Sequence, residues 1–364
     1  MPDEAITAAA ETLRSGYVGQ GPRVDEFETL LRAWFGNRNI VTLNSCTSAL
    51  QLGLILAGVK TGDSVISTPM TCLATNCAIR AVGADIIWAD VDPITGNIDP
   101  DDIPTKVQPN TKAVMVVHWG GNPVDLDAVN RIADYYKLKV IEDAAHALGS
   151  EYAGVKIGSH SSFVCFSLQA VKHITTVDGG LLICKDDDDY RRAKLLRWYG
   201  LDRDAPAGDM RLALDVPESG FKFHMNDIAA TIGSAQLEFI DGILQRHRGN
   251  ADFYKVALPE FPTATDHANG KSSSYWLYTI HVKNRDGFVI SMRELGIEVS
   301  QVHRRNDLYS AFDRYRCPLR GVDSFSQTMV CIPVGWWLQG DDIRYIADCV
   351  KKCGQPATSS IDLG

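Results

Sequence analysis

Between residues 39 and 185 the chain alternates short, almost wholly apolar runs with segments whose apolar residues recur every three or four positions. The runs NIVTLN (39–44), SVIST (64–68), DIIWADV (85–91), AVMVVHW (113–119), KVIEDAA (139–145), FVCFS (163–167) and GLLICK (180–185) are predicted strands. TSALQLGLILAG (47–58) and DLDAVNRIADYYK (125–137) are predicted helices. Strands with so little polar alternation belong to a sheet covered on both faces. Their spacing is that of βαβ units, so a doubly wound α/β domain with a mostly parallel sheet is expected. Ligands of such sheets bind beyond the carboxyl ends of the strands.

After about residue 228 the pattern changes. NDIAATIGSAQLEFIDGILQRHRGNADFYKVAL reads as a long helical segment, interrupted or continuous, leading out of one domain into another. YWLYTIHV (275–282) is a predicted strand, KNRDG a turn and DDIRYIADCVKKC (341–353) a closing helix. This divides the chain into a large α/β domain over 1–235 and a smaller C-terminal α+β domain over 236–364, with the terminal GQPATSSIDLG frayed or disordered. At the other end, MPDEAITAAAETLRSG is an amphipathic helix without the basic start and apolar stretch of a signal peptide.

Composition narrows the function classes. At 45% hydrophobic and 22% charged, the 364 residues have the make-up of an ordinary globular protein. A net charge of −9 argues against a sequence-independent nucleic-acid binder. No apolar run reaches bilayer-spanning length. Nine cysteines, an odd number, argue against a disulfide framework and fit reduced thiols in a cytoplasmic protein. Cys72 with Cys77, and Cys349 with Cys353, lack the histidines that would complete a zinc set, and no metal is expected. The acidic run Asp186 to Asp189 caps the helix that follows it.

Four strand ends carry unusual groups. In NSCTSAL, a strand runs into a helix through Ser45, Cys46 and Thr47. Such residues offer helix-terminal N–H groups to a phosphate, although a plain N-cap is their commoner use. In VIEDAAHA, Glu142 and Asp143 end an apolar strand, where an uncompensated carboxylate is costly. A carboxylate there can keep a pyridine nitrogen protonated, or it can cap a helix with His146 at the core edge. In PMTCLATN, Thr71, Cys72 and Thr75 follow a third strand. FSLQAVKHITTVDGG puts Lys172, beside His173, on a loop between two buried strands. Most lysines are simply solvated, but loops on a rigid sheet are where chemistry is commonly carried. Phosphate donors, an aspartate for a ring nitrogen and a partly desolvated loop lysine for an aldehyde are the parts that pyridoxal phosphate chemistry requires.

With these motifs the sequence resembles the DegT/DnrJ/EryC1/StrS family of sugar aminotransferases, within the type I pyridoxal phosphate-dependent transferase fold. GPRVDEFE, NSCTSAL, EDAAHALGSEYAGVKIGS, FSLQAVKHITTVDGG and HMNDIAATIGSAQL occur in the family's order, over nearly the whole chain. The resemblance implies pyridoxal 5′-phosphate (PLP), alternating with its pyridoxamine form (PMP), bound in the large domain. It implies a homodimer with active sites at the subunit interface. It also implies transfer of an amino group from an amino acid, usually L-glutamate, to a keto-sugar, usually nucleotide-linked, in the making of polysaccharide, lipopolysaccharide or other amino-sugar products.

Matched motif by motif, Lys172 is the lysine that forms the Schiff base and shuttles protons, and Asp143 is the pyridinium partner. His146 is the neighbour of the ring hydroxyl, while Ser167 and the Cys46–Thr47 backbone form the phosphate cradle. Four positions depart from the family's usual residue. Cys72 stands where an aromatic residue usually stacks on the cofactor, and Cys46 where glycine is common. Lys222 stands where an asparagine usually reaches the partner subunit's cofactor phosphate, a role a lysine can fill as a point charge. His173 replaces a frequent asparagine.

The substrate side rests on VHWGG (117–121), RWYGLDRD (197–204) and VSQVHRRNDLYSAF (299–312), which put forward Trp119, His303, Arg304 and Arg305. Adjacent arginines suit a diphosphate or a carboxylate, or they line a solvated loop. Two other readings compete. Sugar dehydratases of the same fold replace the lysine by histidine, and a non-catalytic regulator is expected to lose the lysine or the aspartate. Lys172 and Asp143 are both present.

Overall fold

Polar residues at the ends of the apolar runs decide where the strands stop. The computed structural model describes residues 1–205, 215–265 and 268–357, so residues 358–364 of the terminus read as frayed lie outside the described residues. After two N-terminal helices, α1 (Asp3–Ser15) and α2 (Pro22–Phe35), β1 (Ile40–Leu43) ends where Ser45 caps α3 (Cys46–Leu56) by accepting the Ser48 N–H. β2 (Ser64–Ser67) leads to α4 (Leu73–Ala81), and β3 (Asp85–Trp88) stops three residues short of its apolar run. The reason is Asp90, whose carboxylate accepts the N–H groups of Val91, Gly321 and Val322 and so turns the chain. β4 (Thr111–Val117) is followed by α5 (Leu126–Tyr136), which Asp125 caps. β5 (Lys139–Asp143) ends as the Ala145 N–H turns back onto the Asp143 carboxylate at 3.1 Å. β6 (Phe163–Ser167) and β7 (Gly180–Cys184) flank the lysine loop, and Asp186 caps α6 (Asp187–Leu196).

These strands form one seven-stranded sheet in the order β1-β7-β6-β5-β4-β2-β3. Only β7 runs antiparallel to its neighbours, so the carboxyl ends of the other six lie along one edge. Successive side chains point to opposite faces. Val114, Val116, Val140 and Val164 join a core with α2, while Ala113, Met115, Ile141 and Cys165 join a second core with α3. The same alternation sends the adjacent carboxylates of Glu142 and Asp143 to opposite faces, although both are buried.

The long segment after residue 225 is two helices, α7 (Asp227–Leu237) and α8 (Ile240–Ala257), broken at Glu238 and Phe239. Beyond them β8 (Tyr278–His281) pairs antiparallel with β9 (Met329–Ile332). Helices α9 (Arg285–Glu294), α10 (Arg320–Thr328) and α11 (Gly340–Cys353) accompany this pair. Tyr254, Phe261, Tyr278, Ile280, Met292, Val330 and Val350 form a third core. Phe312, Val322 and Phe325 instead pack into the second core, against the large sheet. The strand predicted over 275–282 is confined to its second half. Its first residues are drawn to the loops of the large sheet, where the Leu277 N–H meets the Gly120 carbonyl at 3.1 Å.

Candidate active site

Lys172 sits on a loop closed at its neck by Leu168, whose N–H meets the Gly179 carbonyl and whose carbonyl accepts the Thr176 N–H, each at 2.9 Å. Gly179 is required at this neck, because a Cβ there would come within 2.1 Å of the Thr176 hydroxyl. The loop delivers the Lys172 amine to within 3.6 Å of the centre of the Trp276 ring. Burial pushes that amine down to about 8, against the opposing pull of the Asp143 charge. At neutral pH a useful fraction is therefore uncharged, which a nucleophilic amine requires.

Asp143, 4% exposed at the end of β5, accepts the Thr75 hydroxyl at 2.6 Å and the Ala145 N–H. Burial raises its carboxyl above the ordinary range, and these two bonds offset only part of that. Thr75 is held by the Thr71 hydroxyl at 2.8 Å. Behind the strand, Glu142 meets the His118 Nε2 at 2.9 Å, while the His118 Nδ1 accepts the Val124 N–H.

His146 is 3% exposed, and its ring stacks on Trp276 at 3.9 Å and lies parallel to His303 at 5.4 Å. Its Nε2 faces the His303 Nε2 at 3.4 Å, and its buried Nδ1 has no partner among the described residues. Burial, then the Lys172 charge, hold His146 well below the ordinary histidine value and push His303 down to about 4. Both rings are neutral at physiological pH. His173 donates to the Ser274 carbonyl at 3.1 Å and packs against His247, which donates to the Tyr275 carbonyl at 2.8 Å.

The residues present fit pyridoxal phosphate on three observations. The unpartnered His146 Nδ1 is a buried polar atom that lacks a group to bond. The Asp143 carboxylate is desolvated and lacks a cationic partner in contact, the setting that favours a protonated ring nitrogen. Finally, Gly180 runs beneath the N-terminus of α3 so closely that a Cβ would lie 2.4 Å from the Cys46 nitrogen. The first-turn amides of Cys46 and Thr47 have no intrahelical acceptor, and Ser167 ends β6 in register with that same Gly180. A cleft of about 990 Å³ opens on the outer side of the lysine loop, walled by Val171, Lys172, Phe239 and Trp337.

The other predicted residues fall less uniformly. Cys72 is the N-cap residue of α4, on the edge that holds Thr75. Lys222 has an exposed side chain, and its carbonyl accepts the Asn44 side-chain amide at 3.2 Å. Trp119 is 1% exposed and lies behind the site, edge-on to His146 and His303, with its indole N–H donated to Thr279 at 3.1 Å. It backs the two imidazole rings. Arg305 is likewise committed: it grips Asp307 with two bonds of 2.8 and 2.7 Å and also pairs with Asp323. Each of its three nitrogens already meets a carboxylate, whereas Arg304 is exposed over the Tyr309 ring.

Three residues escaped the sequence reading of the site. Trp276 was absorbed into a strand, although the polar run Ser272–Ser274 ahead of it breaks strand character. Asn306, fully buried, bonds Asn76 and the Thr71 carbonyl and so ties the His303 segment to α4. Its place directly after the two arginines gave no signal. Ser274 joins the Ser150 hydroxyl and the His146 carbonyl across a separation no local pattern encodes.

Comparison with known proteins bears on this arrangement. The sequence profile of the DegT/DnrJ/EryC1/StrS aminotransferase family matches residues 1–351. The spore coat polysaccharide biosynthesis protein SpsC of Bacillus subtilis is 35% identical over 288 residues, covering 78% of this chain and 74% of its own. The sugar aminotransferase CalS13 of Micromonospora echinospora superposes with a TM-score of 0.93 at 37% identity, covering 97% of each chain. Spr1654 of Streptococcus pneumoniae, solved in a PMP form, superposes at 0.90 with 27% identity over 97% of each chain.

Proposed function

This chain belongs to the DegT/DnrJ/EryC1/StrS aminotransferase family and is a PLP-dependent sugar aminotransferase, and on that premise we propose that Lys172 is its catalytic amine and Asp143 the partner of the cofactor's ring nitrogen. Bound there, PLP supplies the electron sink that lets an amino group leave one carbon and join another. Lys172, with its amine lowered to about 8, would hold the cofactor through that amine and, when free, would carry one proton from the substrate carbon to the cofactor's C4′ carbon. Asp143 keeps the ring nitrogen protonated, a role supported by its burial and by the few bonds it accepts. His146 offers its unpartnered Nδ1 to the ring hydroxyl. The amides of Cys46 and Thr47, with Ser167, bind the phosphate, and Cys72 lines the ring.

L-glutamate is the proposed donor, and a nucleotide-linked keto-sugar the proposed acceptor, with His303 and Arg304 on the acceptor side. Arg304 is an exposed cation within an acidic protein, which suits an anionic substrate. The protein works as a homodimer in which the exposed Lys222 of each copy serves the other's phosphate. The proposed division at residue 235 falls near the end of α7, and the third core lies wholly on its C-terminal side. All nine cysteines are free, in keeping with a cytoplasmic enzyme, and among the described residues no helix is long and apolar enough to cross a membrane.

The observation that carries this reading is a lysine amine lowered to about 8 and electrostatically coupled to a buried, under-bonded aspartate. The test is an absorbance spectrum of the purified protein with PLP, before and after L-glutamate. A Schiff-base band that converts to the pyridoxamine spectrum is expected. A band that glutamate leaves unchanged rejects the donor, and no band rejects Lys172. The retained lysine weighs against the dehydratase reading, in which histidine takes its place.

A further inference from the structure

The amine of Lys172 and the imidazole of His146 both lie within 4 Å of the Trp276 ring, at 3.6 and 3.9 Å. Two groups that close to one ring centre cannot share a face, so the indole stands between them. Its N–H reaches the Val171 carbonyl at 2.9 Å, and thus the same ring touches both the side chain of the lysine and the backbone just before it. The segment that aims the indole is held at many points. Tyr275, immediately before it, has a φ of 49°, a left-handed conformation that a bulky residue adopts only under constraint. The constraint is visible: His173 and His247 donate to the carbonyls of Ser274 and Tyr275, and the Ser274 N–H meets the Ser150 hydroxyl at 3.0 Å. Strain that is held this firmly beside a reactive amine calls for a use.

We propose that Trp276 is a positioning residue for Lys172: its indole face is the resting place of the free amine whenever that amine is not bonded to the cofactor. The proposal rests on the assignment of Lys172 made above. Its physical logic is a balance. A carboxylate in this place would form an ion pair and hold the amine as ammonium, unable to attack. A purely aliphatic wall would desolvate the amine and leave its cation without support. An indole does both, excluding water while its ring quadrupole gives the cation a weak partner. The other groups facing the amine are Asp143 from β5, Cys46 from α3, Cys72 at the start of α4, and the histidines His146, His173 and His303. With the histidines held neutral by burial, Asp143 is the one full charge among them.

The test uses the cofactor-free protein and needs no turnover. Pyridoxal phosphate is added over a range of pH, and the rate of appearance of the Schiff-base absorbance gives the apparent pKa of the capturing amine. The aldehyde's own titrations are common to all variants, so differences belong to the protein. Trp276→Leu keeps an apolar wall and deletes the quadrupole, and the pKa should fall by about one unit. Trp276→Ala admits water, and the pKa should rise towards the ordinary lysine value. Opposite shifts in the two variants support the proposal. A Leu variant at the wild-type pKa, or raised with the Ala variant, overturns it, since space-filling or hydration alone would then suffice. The Leu result decides the matter if the Ala variant does not fold. Lys172→Ala in the same assay should give no band, and a persisting band overturns the assignment of Lys172 itself.

Discussion

Two buried carboxylates, Glu28 on α2 and Asp143 on β5, are treated in opposite ways by the same fold. Glu28, 2% exposed, accepts the Thr42 N–H and hydroxyl at 2.9 Å each, pairs with the buried Arg197, and takes a further bond of 2.8 Å from Arg32. Burial alone would raise its carboxyl, but the Arg197 charge and the Thr42 bond bring it below the ordinary value. Asp143 is nearly as buried, accepts one hydroxyl and one N–H, and stays above its ordinary value. The saturated carboxylate joins α2, β1 and the end of α6. The other keeps acceptor capacity that no donor among the described residues fills. Where a buried charge is fully bonded the fold is using it, and where bonding falls short the deficit points to chemistry.

The largest effect that would sharpen this contrast lies at Lys172. Lys172→Ala should lower transamination by about 10³-fold or more, since both nucleophile and proton carrier are lost. Thermal unfolding of the cofactor-free variant should come at or above the wild-type temperature, because an amine lowered to about 8 by burial is penalised by folding at neutral pH. A melting temperature many degrees lower would put Lys172 on the structural side. Next in size is Glu28→Gln, which leaves the Arg197 guanidinium buried without its counter-charge. Urea unfolding should report a loss of about 3–5 kcal/mol, while activity per folded molecule is kept. The pH dependence follows from the sign of the shift. A folded value below the ordinary 4.5 means the Glu28 contribution is complete above that pH and is lost as pH falls through the folded value. The wild type should therefore show an acid limb that the glutamine variant lacks.

The contrast also explains what the sequence could and could not reveal. The strands were legible because their apolar runs are buried on both faces, and Lys172, Asp143 and His146 because strand ends are where a parallel sheet collects its chemistry. The strand ends were less legible. Asp90 stops its strand through partners set by side-chain geometry, and two of these lie over 200 residues away. The arginines show the same limit more clearly. Arg305 in HRRND looks free in sequence, yet Asp307 and Asp323 occupy it, and Asp323 comes from a helix eighteen residues on. Trp276 was hidden for the opposite reason: its neighbours Tyr275 and Tyr278 are true core residues, so an apolar pattern absorbed it.

Asp143→Asn probes the other side of the comparison with a smaller effect. Because the folded carboxyl lies above its ordinary 3.8, its charged form is penalised in the cofactor-free protein at neutral pH, and that penalty vanishes as pH falls below 3.8. An asparagine carries no charge to penalise and can still accept the Ala145 N–H. Stability of the cofactor-free variant at pH 7 should rise by on the order of 1 kcal/mol, the gain expected when a functional strain is removed. A destabilised variant would mean that Thr75 and Ala145 already satisfy the carboxylate, and the contrast with Glu28 would collapse.

The smallest effect is expected at Arg32, and it tests whether saturation at Glu28 is graded. Arg32 binds the second carboxylate oxygen, but its side chain is 29% exposed, whereas that of Arg197 is 4% exposed. Water can replace a partner at the surface and cannot replace one inside, so equal bonds differ in worth. Arg32→Ala should cost about 0.2–1 kcal/mol in urea unfolding. It should also shift the acid limb slightly to higher pH, because losing one cation lets the Glu28 carboxyl move back towards 4.5. Added salt should shrink the difference between wild type and variant, since the lost pair is within reach of the solvent. A loss as large as that of Glu28→Gln would show that the carboxylate depends on every donor it has. The two bonds that Asp143 accepts would then carry no sign of chemistry at that carboxylate.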